Sequence, residues 1–300
     1  MCILWGTTYL AIRVGVATWE PWLFGGLRFA AAGTIVILAL RLRKVRVPHD
    51  GSVLRDAVIT GVLLLVGGNS AVILAERHVP SGITAVMVST MPIWTVVIAS
   101  FMRRGHRLGP LNWLGLLGGL VGVVLLVWPN LTMTRGPDRE FLWGVVLLQL
   151  GSISWAAGSV YASGRRTVVH PLLNAGLQML AGGVAMILIG TVVGEWSRLN
   201  PDRRGWEAFL YLLVFGSLLG YVAFVYALQH LPVAKVSLYG YVNPLVAVVV
   251  GALILGERFG AREALATTLV LGAVALARRG GVETPNGQAE ADAVVSSRPS

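Results

Sequence analysis

The sequence predicts an all-α integral membrane protein of ten transmembrane helices arranged as two inverted five-helix repeats. Three observations lead there. Only 13% of the 300 residues are charged and 55% are hydrophobic, with a mean hydropathy of +0.73, whereas a soluble domain is typically about 25% charged. The apolar residues fall into ten continuous runs, 1–18, 21–42, 53–75, 80–102, 110–128, 141–162, 171–194, 206–229, 232–255 and 261–278. Each approaches the roughly 20 residues that cross hydrocarbon as a helix, and continuous runs rich in glycine are unlike barrel strands, which alternate. Third, the chain repeats itself at an offset of 150 to 152 residues. Five helices per copy is an odd number, so the second copy enters the membrane from the opposite face. That architecture puts substrate sites at the midplane between the halves.

Each element follows from the repeat. The first run carries Trp5-Gly6-Thr7-Thr8-Tyr9, and 150 residues on stands Trp155-Ala156-Ala157-Gly158-Ser159, with Tyr161 just beyond. In the second run Pro21, Leu23, Gly26, Leu27, Ala31 and Gly33 recur as Pro171, Leu173, Gly176, Leu177, Ala181 and Gly183, while Arg28 is replaced by Gln178. In the third, Gly68, Ala71, Ala75 and His78 recur 152 residues on as Gly220, Ala223, Ala227 and His230, and Asn69 meets Tyr221. In the fourth, Pro80 and Pro92 recur as Pro232 and Pro244. The fifth carries Gly115, Gly118, Gly119 and Gly122, a small-residue face that lets helices approach closely. The organisation is therefore a first repeat over 1–128, a linker over 129–140, a second repeat over 141–279, and a polar tail over 280–300 whose composition predicts disorder.

The two prolines are the candidate hinges. Pro244 has no N–H to donate and crowds the carbonyl of Gly240, and in hydrocarbon a freed carbonyl needs a protein partner or a wet cavity. Tyr239, Tyr241 and Asn243 lie at that level. The hinge set is Pro92, Gly240 and Pro244. Asn243 has two readings, a packed kink or a cavity wall offering donor and acceptor to a substrate. Tyr239 and Tyr241, two residues apart, face different sides of a helix. Trp5, Trp94 and Trp155 lie inside the spans, where an aromatic either packs or lines a cavity. Trp19, Trp22, Trp128, Trp143, Trp196 and Trp206 suit the interface belts. The candidate substrate-binding set is Trp5, Thr8, Tyr9, Asn69, Ser89, Trp94, Trp155, Tyr161, Tyr221, Tyr239 and Asn243. A neutral, polar and aromatic lining of this kind suits a zwitterionic or amphipathic metabolite.

Arg28 and Glu76 are the structural charges. An intramembrane charge is a functional hypothesis by default; the competing reading pairs Arg28 with Glu20 or Glu76, or lets it snorkel to the interface. The net charge of +10 is a matter of membrane orientation rather than nucleic-acid binding. With the N-terminus inside, inner loops hold twelve basic residues and outer loops eight, the latter diluted by acids, so both termini are expected on the cytoplasmic side of an inner or plasma membrane. Residues 1–18 lack the basic start of a cleavable signal, and Cys2 alone makes no internal disulfide. No H-E-x-x-H, G-x-S-x-G or phosphate-binding loop is present, so neither catalytic residues, nor a metal, nor a cofactor, nor direct ATP hydrolysis is expected. The partners expected are a small-molecule substrate and the lipid bilayer. The function expected is secondary transport by alternating access; against it stand a lipid-flipping or non-transporting membrane protein and, more remotely, an intramembrane enzyme.

The motifs WGTTYLAIRVG (5–15), GLRFAAAG (26–33), AERHVPSGITAVMVSTMPIW (75–94), GSISWAAGSVYAS (151–163) and YGYVNPLVAVVVGALILGE (239–257) resemble the drug/metabolite transporter superfamily, in its EamA-type ten-helix branch. The resemblance spans residues 1 to about 279. It implies two inverted five-helix repeats, a central cavity lined mainly by helices 1, 3, 4, 6, 8 and 9, and a membership that includes exporters of amino acids and related metabolites. Two departures stand out. The Gly-Glu ending at Gly256-Glu257 has no counterpart at Met102-Arg103-Arg104-Gly105. All fourteen acids fall in loops, tails or helix ends, so proton exchange through a carboxylate deep in a span, as in small multidrug members of the superfamily, is not expected.

Overall fold

The computed structural model describes residues 2–45, 51–102, 109–131, 138–164, 170–231, 236, 239–256 and 260–279. The tail over 280–300, the middle of the linker and the side chain of Tyr241 lie outside the described residues. Among the described residues there is no strand. The helices are α1 (Cys2–Gly15), α2 (Pro21–Leu42), α3 (Gly51–Ala75), α4 (Ser81–Val88), α5 (Met91–Met102), α6 (Pro110–Leu131), α7 (Arg139–Ser163), α8 (Pro171–Val192), α9 (Arg203–His230), α10 (Tyr239–Val250), which runs on into a wider turn over Gly251–Leu255, and α11 (Ala261–Arg279). Among the described residues six spans are long and apolar enough to cross a bilayer: α2, α3, α4 with α5 over Ser81–Phe101, α7, α8 and α9. The outer surface is apolar. Leu117, Leu120, Leu188 and Leu253 are each more than half exposed, a surface that water would not tolerate over such an area and that lipid covers.

The α2 and α8 helices cross in close contact. A methyl group added to Gly26 would press on Gly183 and Ile187, and one added to Gly33 on Gly176 and Leu180. As one helix rises the other descends, so the two run antiparallel with backbones touching. The contact is reciprocal, because 176 is 26 plus 150 and 183 is 33 plus 150. Side chains larger than hydrogen at these four positions would push the helices apart. The α6 and α11 helices repeat the device at the edge, with Gly118 against Ala273 and Gly122 against Val270 and Ala266.

Helix ends are tied across the molecule. Pro21 opens α2, where a missing N–H costs nothing, and Glu20 offers no side-chain cap. The cap comes instead from Glu195, whose Oε1 and Oε2 accept from the main-chain N–H groups of Trp22 (3.2 Å) and Leu23 (2.8 Å). A carboxylate there complements the positive end of the helix dipole. Glu20 pairs with Arg77 and Arg198. Two expectations need correction here. Glu76 and Glu195 stand at helix ends, yet both are buried, because neighbouring elements fold over those ends. Trp19 does not present its ring to the surroundings as a belt residue would: it is 2% exposed and stacks on Phe209 at 5.0 Å. Trp128, Trp143, Trp196 and Trp206 are about half exposed, in keeping with a belt.

The fourth span breaks, but one step ahead of its proline. Ser89 and Thr90 form a turn between α4 and α5, and Pro92 sits in the first turn of α5, where its lost N–H is harmless. The second copy differs: α10 continues through Pro244 and only winds wider over Gly251–Leu255. The two kink levels touch, since Gly240 packs on the Pro92 ring so closely that a methyl group added to it would lie 3.4 Å from Cγ.

Candidate functional site

Both copies of the third helix widen into a π-helix at the same repeat position. In α3 the wide turns cover Val62–Asn69, and in α9 they cover Leu212–Tyr221. The ends, Asn69 and Tyr221, are the residues paired by the repeat. A π-turn pushes backbone out of register with the i−4 ladder, and such turns recur at functional sites. Here the outcome is concrete. The loosened carbonyl of Gly216 accepts from Trp5 Nε1 at 3.2 Å, and Gly68 allows the Trp155 ring to lie against the α3 backbone.

These turns face a cavity with about 70 Å³ of space open to the centre of a water molecule. Residues from both halves line it. Of the eleven expected binding residues it takes Trp5, Thr8, Tyr9, Asn69, Trp155, Tyr221, Tyr239 and Asn243. The wall is aromatic. Trp5 meets Trp155 edge to face at 5.6 Å and Tyr239 at 5.0 Å, and Phe224 closes on Trp5 at 5.2 Å and on Trp155 at 5.3 Å. Each such pair contributes about 0.5–1.5 kcal/mol beyond burial, so the wall is stiff. The two tryptophans matched by the repeat thus meet each other. Thr8 donates to the Trp5 carbonyl at 2.7 Å, Tyr239 donates to Met91 Sδ at 3.3 Å, and Asn243 hydrogen-bonds Tyr9.

Three expected residues lie elsewhere. The break at 89–90 frees carbonyls that need partners inside a membrane, and nearby side chains are consumed in supplying them. Ser89 Oγ donates to Val86 O at 2.6 Å and Thr90 Oγ1 to Met87 O at 2.8 Å. Trp94 Nε1 donates to Gln149 Oε1 at 3.3 Å, while Gln149 Nε2 reaches Met87 O at 3.4 Å. Tyr161 donates to Asp56 at 2.7 Å, tying α7 to the start of α3. Gln149 lies outside every family motif quoted above, so no motif marked it.

The charged pole of the cavity comes from α2. Arg28 is 2% exposed and lines the cavity. Its Nη2 donates to Asn69 Oδ1 at 2.8 Å, and its guanidinium lies 4.3 Å from the centre of the Phe29 ring. The expected pairing with Glu20 or Glu76 does not form, and Arg28 does not reach the interface: Glu20 is held by Arg77 and Arg198. Glu76 is fully buried and its main-chain carbonyl accepts from Arg13. Gln178, at the repeat position of Arg28, is buried and accepts from the Tyr221 hydroxyl at 2.8 Å. The two pairs, Arg28–Asn69 and Gln178–Tyr221, are therefore repeat equivalents. The replacement of Arg28 by Gln178 and of Asn69 by Tyr221 was the signal that could have joined them. Among the described residues no cluster of His, Cys, Asp and Glu could hold a metal.

Comparison with known proteins places this geometry. The model of the EamA-like transporter family matches residues 1–128 and again 142–279. The chain is similar to the uncharacterized inner membrane transporter YedA of Escherichia coli (strain K12), with 38% identity over 279 residues, covering 93% of this chain and 88% of that one. It is also similar to Protein PecM of Dickeya dadantii, with 26% identity, covering 90% and 87%. A crystal structure 24% identical over 92% of this chain and 94% of the other shares the fold, with a TM-score of 0.66. These relatives include proteins named as transporters and none of these is named as an enzyme. Its apolar spans and a family model that matches it twice show that this chain belongs to the EamA-like transporter family and is a membrane transporter.

Proposed function

We propose that the chain is a secondary transporter that exports small metabolites, amino acids or related amphipathic compounds, by alternating access between two inverted five-helix repeats. The observation that carries this reading is the cavity itself. It is closed by residues of both halves, it is aromatic with a few polar groups, and it lies where helices of both halves depart from regular winding. The family model matching two stretches in tandem supports two repeats, and the antiparallel α2–α8 crossing with reciprocal glycines supports their inversion. On this reading the ten apolar runs are ten spans and both termini are cytoplasmic. The halves rock about the level where Gly240 rests on Pro92, with Pro244 completing the hinge. Asn243 and Tyr9 contact the substrate from α10 and α1.

The test is untargeted metabolite profiling of medium and cytosol. Cells making the native chain would be compared with an empty vector and with Asn243→Ala at matched membrane abundance. A compound enriched in the medium only with the native chain, and reduced at least fivefold by Asn243→Ala, is the expected result. Normal export by the variant would remove Asn243 from the site. A profile identical to the empty vector, together with altered leaflet distribution of a fluorescent lipid, would replace the metabolite exporter with a lipid-flipping protein.

A further inference from the structure

The cavity holds two polar hydrogens that the protein does not use. Arg28 Nε and Trp155 Nε1 are both buried and neither has an acceptor. Both residues line the cavity, one on each flank of the π-turn over Val62–Asn69: Arg28 touches Asn69 and Trp155 touches Gly68. The guanidinium is held in place, with Nη2 on Asn69 and one face over Phe29. Its oriented edge is left open. Among the described residues no carboxylate lies within ion-pairing distance of it, whereas Arg55, Arg77, Arg198, Arg203 and Arg262 each have one. A buried cation without a counter-ion is costly in a membrane interior. An occupant that supplies the negative charge removes that cost, so binding and charge are coupled.

We propose that Arg28 is the anion anchor of the cavity and that the transported compound carries a single carboxylate on an apolar or aromatic body. The carboxylate accepts from Arg28 in the planar geometry a guanidinium favours, and Trp155 Nε1 supplies a further donor. The apolar body lies against Trp5 and Tyr239, which line the cavity. Gln178, the equivalent position in the other half, is neutral and its Oε1 accepts from Tyr221, so the cavity has one charged pole. One positive charge balances one negative charge. A dianionic phosphate would leave a second charge uncompensated in low dielectric, which is why the carboxylate is the class chosen. This inference rests on the transport reading for its biological meaning, but its test does not.

The purified full-length chain is titrated with four probes that share a phenyl body: 3-phenylpropionate, its neutral amide, phenethylamine and phenyl phosphate. Quenching of tryptophan fluorescence and thermal stabilisation in detergent report binding. The expected result is binding of the carboxylate at least tenfold tighter than of the amide or the amine, and tighter than of the phosphate. Arg28→Gln abolishes that discrimination, Arg28→Lys retains part of it, and Trp155→Phe weakens the carboxylate alone by about threefold. Should Arg28→Gln not fold, Arg28→Lys and Trp155→Phe carry the test. Equal binding of carboxylate and amide by the native chain, or binding of neither, overturns the proposal, as does discrimination that survives Arg28→Gln. Export of a compound without a carboxylate, unaffected by Arg28→Gln, would overturn the anchor and leave the exporter standing. Absence of export with intact discrimination would do the reverse.

Discussion

The two halves of this transporter build the same contact from different chemistry. In the first half a buried guanidinium donates to an amide, Arg28 to Asn69, and in the second a phenol donates to an amide, Tyr221 to Gln178. The four residues occupy equivalent positions of α2, α3, α8 and α9, and both contacts measure 2.8 Å. Yet the Tyr221 hydroxyl spends its proton on Gln178, while Arg28 keeps an unused donor and a charge facing the cavity. A duplicated frame thus supplies geometry twice, and divergence at single positions turns one copy into a structural pair and leaves the other chemically open. The helices that carry Pro92 and Pro244 show the same split. One breaks at Ser89–Thr90 and spends Ser89, Thr90, Trp94 and Gln149 on repair, while the other runs on through Pro244.

The comparison can be broken most severely at its symmetric element. Gly26→Ala and Gly183→Ala each place a methyl against the backbone of the opposite helix, and each should cost roughly 2–3 kcal/mol, read as a fall in midpoint in detergent melts. Equal losses would support a two-fold crossing, and a twofold disparity would argue against it. Gly272→Ala, which meets nothing within 4 Å, is the matched control and should be neutral.

Copying the charge into the second half is next in size. Gln178→Arg buries a second cation and strips Tyr221 of its acceptor, at a cost of about 3 kcal/mol. A variant that melts like the native chain would mean that the neutral pole tolerates charge and that the asymmetry is incidental. Smaller effects are expected at the caps. Glu195→Gln weakens the two bonds that close α2 and should lose about 1 kcal/mol, whereas His170→Ala, which removes a single exposed bond at the start of α8, should lose far less. Reversal of that order would show that α2 does not depend on its distant cap. Tyr221→Phe removes one interhelical hydrogen bond, worth about 0.6 kcal/mol inside a membrane, and should leave the carboxylate preference intact. Loss of that preference would place Tyr221 at the charged pole rather than opposite it.

The division between sequence and tertiary structure follows from what each kind of information is. Charge scarcity, run length and the constant offset are local or additive, so the membrane class, the repeat and the family motifs were legible residue by residue. Most of the cavity was legible too, because few polar and aromatic side chains occupy mid-span positions and the repeat pairs Trp5 with Trp155 and Asn69 with Tyr221. Which of those side chains are free was not legible. Ser89, Trp94 and Tyr161 have the right chemistry at the right depth, but a helix break and a crossing helix claim them first. The π-turns, the partnership of Gln149 with the broken span, the burial of Glu76 and Glu195 and the choice of Asn69 over Glu20 as the partner of Arg28 all depend on which helices meet at which level. Each of these contacts joins segments far apart in the chain, so no single segment carries it.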